Sequence, residues 1–241
     1  MITVTNLTVA YGELVAVADL SLRVPPGCVL AVSGPSGAGK SSLLWAIAGA
    51  VVARSGTVEV DGLTIRDRPA AAAHGVVLIP QGNGLARVLT ARENLSMPLL
   101  ADRALIGVLN RRRGGTDDEP EYEREDERNR ALETVDRTIA RALADVGLED
   151  SGDHLVEELS GGEQQRVAVA RGIAQQGRVI LADESTSELD STNRERVLDL
   201  LRREADRGAA VVIATHDPNV AAGADGHATM DEGHLTWERQ L

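Results

Sequence analysis

The sequence predicts an α/β protein, with a mostly parallel sheet flanked by helices, a small antiparallel β part and an inserted helical subdomain. Three observations carry this. Four short apolar runs, CVLAVSG (28–34), GVVLIPQ (75–81), RVILADE (178–184) and AAVVIATH (209–216), read as strands buried on both faces, as in a parallel sheet. Helical patterns alternate with them. From about residue 85 the texture turns helical, and α/β texture resumes after about 160. The chain is thus read as one domain, with a core of 1–84 and 161–241 and a helical subdomain of 85–160 carrying a charged insertion at about 108–130.

Along the chain, ITVTNLTVAYG and VADLSLRV are short β-like runs set off by turns, the second ending at Pro25-Pro26-Gly27. A helix is expected from about Lys40, with Leu43, Leu44, Ile47 and Val51 on one face. GTVEVDGLTI (56–65) reads as a hairpin or edge strand. TARENLSMPLL (90–100) is helical, and Leu132, Val135, Ile139, Leu143 and Val146 form a helical stripe that stops at Gly147. Between these lies RRRGGTDDEPEYEREDERNR, with eight acids against three arginines over 117–130, which reads as a solvated, mobile insertion or a docking surface. Beyond 160, QQRVAVARGIA and RERVLDLLRREA are helices.

Composition narrows the function. Hydrophobic residues make up 43% of 241, enough for a sizeable core, which in the absence of Phe must be built from Val, Leu, Ile and Ala. The lone Cys28 cannot pair within the chain, which suits a reducing cytosol. A formal charge of −12 argues against a nucleic-acid partner, because phosphate backbones are held by clustered Lys and Arg. The N-terminus lacks the features of a secretory signal. The longest apolar run, LLWAIAGAVVA (43–53), is shorter than the roughly 18–20 residues that span a bilayer. The expectation is a soluble protein whose membrane role, if any, comes through a partner.

Two segments carry chemistry. Gly34-Pro35-Ser36-Gly37-Ala38-Gly39-Lys40-Ser41, followed by Ser42, fits G-x-x-x-x-G-K-[ST] between a buried strand and an amphipathic helix, the setting of a phosphate-binding P-loop. Such a loop turns backbone N–H groups toward an anion, Lys40 adds a point charge at the β- and γ-phosphates, and Ser41 offers an oxygen to Mg²⁺. ILADE (180–184) ends an apolar strand in two acids. There Asp183 can hold Mg²⁺ and Glu184 can polarise an attacking water.

A second anion grip follows at LSGGEQQR (159–166), where a hydroxyl and two glycines open a helix. With the P-loop and ILADE in this order, the sequence resembles the ATP-binding cassette (ABC) ATPases over nearly its whole length. The resemblance makes LSGGEQQR the family's signature motif. It makes Gln81 the Q-loop glutamine, which joins Ser41 and Asp183 at the metal, Asp190 the D-loop aspartate, His216 the switch histidine, and Tyr11 the aromatic that stacks on adenine. It implies ATP and Mg²⁺ as ligands, and a head-to-tail pair in which Ser160, Gly161 and Gly162 of one copy close on the γ-phosphate held by the other. Two departures stand out. Ser185 occupies the place of a common Pro, which threatens to loosen the turn that aims Glu184, and Glu188 stands where Ala is usual.

The resemblance is greatest to cassettes of lipoprotein-releasing, macrolide-exporting and cell-division complexes, on the pattern of TARENLSMPLL. It implies a subunit at the cytoplasmic face of the cell membrane that drives a separately encoded integral membrane permease. A regulatory cassette that signals across the membrane, and a cytosolic ABC ATPase without transport, are the alternatives.

Overall fold

The computed structural model describes residues 1–101, 106 and 121–241, with backbone alone for 121–124. The chain forms two compact units, Met1–Gly84 with Gln176–Leu241, and Leu85–Gln175.

The first unit has two sheets. Strands β1 (Ile2–Tyr11), β2 (Leu14–Val24), β4 (Ser55–Val60) and β5 (Leu63–Thr64) form an antiparallel sheet in the order β2-β1-β4-β5. The segment expected as a hairpin or edge strand is therefore the β4–β5 hairpin at the end of that sheet. The second sheet has the order β10-β9-β3-β8-β7-β6, with β3 (Val29–Ser33), β6 (Val76–Ile79), β7 (Val179–Asp183), β8 (Ala210–Ala214), β9 (Gly226–Asp231) and β10 (His234–Arg239). Strands β9-β3-β8-β7-β6 are parallel, and β10 closes one edge antiparallel. Residues of β3, β7 and β8 are almost all buried, matching their continuous apolar runs.

Helix α1 (Lys40–Ile47) touches both sheets, through β1 and β2 on one side and β7 and β8 on the other. Its Leu43, Leu44 and Ile47 join Val4, Val9, Leu181 and Val212 in one apolar core. Trp45, on the same helix, is 38% exposed, whereas Trp237 of β10 packs against the core. The helix ends at Ile47 and not at Val51 as its periodicity suggests. The Ala48 N–H bonds to Leu44, and the Gly49 N–H reaches back three residues to Ala46, closing the helix as a tight last turn. Helices α2 (Arg68–Ala73), α6 (Ser191–Asp206) and α7 (Pro218–Gly223) complete the unit.

In the second unit, α3 (Ala91–Leu100), α4 (Glu121–Asp145) and α5 (Gly161–Ala174) pack pairwise. Leu95, Ile139, Leu143, Val146 and Val167 are buried, so the stripe expected on α4 is its packing face from Ile139 onward. Two expectations need correcting. Residues 161–174, assigned to the core from sequence, belong to the second unit, because α5 packs on α3 and α4. Of the expected insertion, 121–130 is the continuous N-terminal part of α4, built from Glu and Arg with good helix propensity; 108–120 lie outside the described residues. No helix among the described residues is long and apolar enough to cross a membrane.

The start of α3 is pinned by Asn94, which is fully buried. Its side-chain oxygen accepts the Ala86 N–H at 2.8 Å, and its amide donates to the carbonyls of Ala86 at 3.0 Å and Thr90 at 2.9 Å. Asn94→Leu takes the acceptor from the Ala86 N–H, while the Ala86 and Thr90 carbonyls keep the N–H groups of Leu89 and Asn94, and it is expected to destabilise the fold by about 1–3 kcal/mol, read as a lower urea midpoint.

Candidate functional site

Strands β3, β8 and β7 are neighbours, and their parallel register brings Val32, Ala214 and Asp183 to one level. The residues that follow them, the phosphate loop after β3, Glu184 after β7 and His216 after β8, therefore emerge at the same sheet edge.

The loop from Gly34 to Gly39 is held closely by the backbone around it. A Cβ at Gly34 would overlap the Met230 carbonyl, and one at Gly39 the Ala16 carbonyl; both residues have positive φ, 141° and 103°. Only glycine fits at either place. Pro35, Ser36 and Gly37 form the exposed tip, while Ala38 is buried and its carbonyl accepts the Gly233 N–H at 3.1 Å. Lys40 is buried, and its Nζ donates to the Gly34 and Pro35 carbonyls at 2.7 and 3.0 Å, folding back along the loop 4.0 Å from Glu184 Oε1.

Ser41 Oγ donates to Asp183 Oδ1 at 3.0 Å. The other carboxylate oxygen, Asp183 Oδ2, is buried and finds no hydrogen-bond donor among the described residues. Burial raises the Asp183 pKa above the usual carboxylate range; the charge of Glu184 pushes the same way, while the Ser41 hydrogen bond and Lys40 oppose it. A buried carboxylate oxygen without a donor, next to a serine hydroxyl, is a donor set suited to a hard cation such as Mg²⁺. No group of three or more His, Cys, Asp or Glu able to hold a metal occurs among the described residues, so further oxygens would have to come from neutral side chains, water or substrate.

Glu184 adopts φ 49°, a left-handed backbone uncommon outside glycine and frequent at functional sites. Its N–H donates to the Ala214 carbonyl at 3.0 Å, and its own carbonyl accepts the Ser187 N–H at 3.2 Å and hydroxyl at 3.0 Å. These three bonds fix the turn without the proline ring that Ser185 replaces. Ser185 itself is buried, with its hydroxyl unpaired among the described residues. Glu184 Oε2 meets His216 Nδ1 at 2.8 Å, linking a carboxylate that is 11% exposed to a ring that is 68% exposed.

The remaining expected residues are spread more widely. Tyr11, exposed at the end of β1, places its hydroxyl 3.4 Å from Ser42 Oγ. Gln81 is exposed on the turn after β6 and is not hydrogen-bonded to Ser41 or Asp183. Asp190 caps α6, accepting the Asn193 N–H at 2.8 Å and side-chain amide at 3.0 Å. In the second unit, Ser160 caps α5 and Gly161 and Gly162 are its first residues. The Ser160 hydroxyl and N–H both donate to Glu163 Oε2, at 2.6 and 2.9 Å. The sequence reading overlooked Glu163, although S-x-x-E is a recognisable capping box. It also missed Ala16 and Met230, whose carbonyls wall the loop and leave no trace in a motif.

A parallel sheet with a glycine phosphate loop on one strand and paired acids two strands away is a P-loop nucleotide-phosphate site. The comparisons narrow the class. A family model described as ABC transporter matches residues 17–187. The lipoprotein-releasing system ATP-binding protein LolD of Bordetella pertussis is 35% identical over 224 residues, covering 90% of this chain and 85% of that protein. The uncharacterized ABC transporter ATP-binding protein YvrO of Bacillus subtilis is 31% identical, with 100% and 97% covered. The macrolide export ATP-binding/permease protein MacB of Neisseria gonorrhoeae is also 31% identical, but this chain spans only 30% of it. Among solved structures, the dimeric, post-hydrolysis ATP-binding cassette MJ0796 bound to ADP and Pi superposes with a TM-score of 0.76 at 30% identity, with both chains fully covered. The chain belongs to the ABC transporter family of ATP-binding cassettes.

Gly39→Ala combines a disfavoured φ with a backbone overlap and is expected to cost about 3 kcal/mol, measured as a lower melting temperature without nucleotide.

Proposed function

We propose that this chain is the ATP-binding and ATP-hydrolysing subunit of an ABC transporter complex. It pairs head-to-tail with a second cassette around two ATP–Mg²⁺ and drives a separately encoded integral membrane permease from the cytoplasmic face of the membrane. The observation that carries the reading is the meeting of Lys40, Ser41, Asp183, Glu184 and His216 at one sheet edge. The similarity to LolD and MacB supports a release or export system, and the dimeric state of MJ0796 supports the pairing.

In this reading the loop N–H groups and Lys40 bind the ATP phosphates, and Lys40 exchanges its two carbonyl acceptors for phosphate oxygens. Tyr11 offers its ring to the adenine. Ser41, Asp183 and Gln81 would hold Mg²⁺, which supplies positive charge to the phosphate oxygens. Glu184 accepts a hydrogen bond from the attacking water and orients it, and the 2.8 Å bond to His216 holds the carboxylate in place. Ser160, Gly161 and Gly162 of the second copy complete the γ-phosphate shell, with Asp190 at the seam. ATP held by one chain is then gripped more tightly by the pair, so it favours association and its hydrolysis releases it.

Glu184→Gln is expected to retain ATP binding, lower hydrolysis by about 10²–10⁴-fold and accumulate a dimer in Mg–ATP, seen by light scattering. A monomer at saturating Mg–ATP overturns the pairing. Co-purification from native membranes with a multi-span protein tests the permease.

A further inference from the structure

In a head-to-tail pair Ser160 would donate to a phosphate held by the second copy, yet its hydroxyl already has an acceptor. Glu163 Oε2 takes the Ser160 O–H at 2.6 Å, the shortest bond of this cap, and the Ser160 N–H at 2.9 Å. The return bond, from the Glu163 N–H to Ser160 Oγ, is long at 3.4 Å. The cap is thus held mainly by the carboxylate, which takes up two donors at the helix end where an anion would be received.

Charge adds to the competition for the hydroxyl. A helix N-terminus attracts anions through its free N–H groups and dipole, and an ionised carboxylate in the first turn satisfies that attraction from within the chain. The Ser160 hydroxyl, then the Ser160 N–H, hold the Glu163 carboxyl below the usual range despite some burial, with Arg166 and His154 contributing, so it is ionised at neutral pH. Arg166 acts on Glu163 through its charge and not through a hydrogen bond, because its Nη1 donates to the Val146 and Gly147 carbonyls at 2.9 and 3.1 Å.

We propose that Glu163 is a positioning residue that brakes closure: it holds the Ser160 hydroxyl in the unpaired chain and opposes, by charge, the arrival of a phosphate carried by a second copy. The inference rests on the head-to-tail reading and deepens it. Closure requires the hydroxyl to swap a carboxylate acceptor for a phosphate oxygen and brings two anions close together. Each cassette then resists pairing until the nucleotide, or a membrane partner, supplies compensating interaction.

The test compares Glu184→Gln with Glu163→Gln/Glu184→Gln. Glutamine keeps a side-chain acceptor for the cap, so the fold and melting temperature should hold, while the charge is gone. The ATP-driven dimer of the double variant should dissociate about tenfold less readily at low salt. The advantage should shrink as ionic strength rises past about 0.5 M, a dependence that a purely structural cap would not produce. Binding of a fluorescent ATP analogue to the monomer should be unchanged. Equal or weaker dimerisation of the double variant, or an advantage independent of salt, overturns the brake while leaving the pairing intact. If Glu184→Gln alone stays monomeric in Mg–ATP, the pairing fails and the brake with it.

Discussion

The hydrogen bond between Ser41 and Asp183, 142 residues apart, is the constraint on which the site depends. It can form only if β3 and β7 end at the same level with β8 between them, and if α1 leaves the phosphate loop at the angle that presents its second residue to the end of β7. The parallel register sets the first condition, and the two-sided packing of α1 between the sheets sets the second. Substantial burial on both faces is therefore what positions two polar side chains. The antiparallel sheet, remote from chemistry in sequence, matters because it holds one side of that helix and lends the Ala16 carbonyl that walls Gly39.

Much of this was legible in the residues. The buried strands announce themselves by uninterrupted Val, Ile, Leu and Ala, and the phosphate loop by its glycines between a strand and a helix. What the residues concealed follows a pattern. Val51 keeps the phase of α1 but lies past its end, because periodicity does not register where backbone hydrogen bonds stop. Residues 121–130 carry no apolar stripe and so look unstructured, yet helix propagates cheaply from the packed turns at Ile139 and Leu143 through Glu- and Arg-rich sequence. The placement of 161–174 depends on contacts with α3 and α4, which no local pattern encodes.

The acids show the same limit at closer range. Adjacent carboxylates at a strand end suggest a metal ligand beside a water-orienting group, but not how they are kept apart. A positive φ at Glu184, stabilised by Ala214 and Ser187, sends the second carboxylate toward His216 while the first stays buried at the end of β7. Ser185 shows that a turn of this kind does not need proline when backbone and hydroxyl donors surround it. Its buried oxygen has no hydrogen-bond partner among the described residues.

The scarcity of aromatic residues has a practical side. With two tryptophans in the chain and one of them packed against the core, most environment-sensitive emission should come from Trp45. That indole rides on the helix that begins with Lys40, partly open to solvent, so the native protein carries a built-in optical reporter of events at the phosphate loop and needs no attached dye.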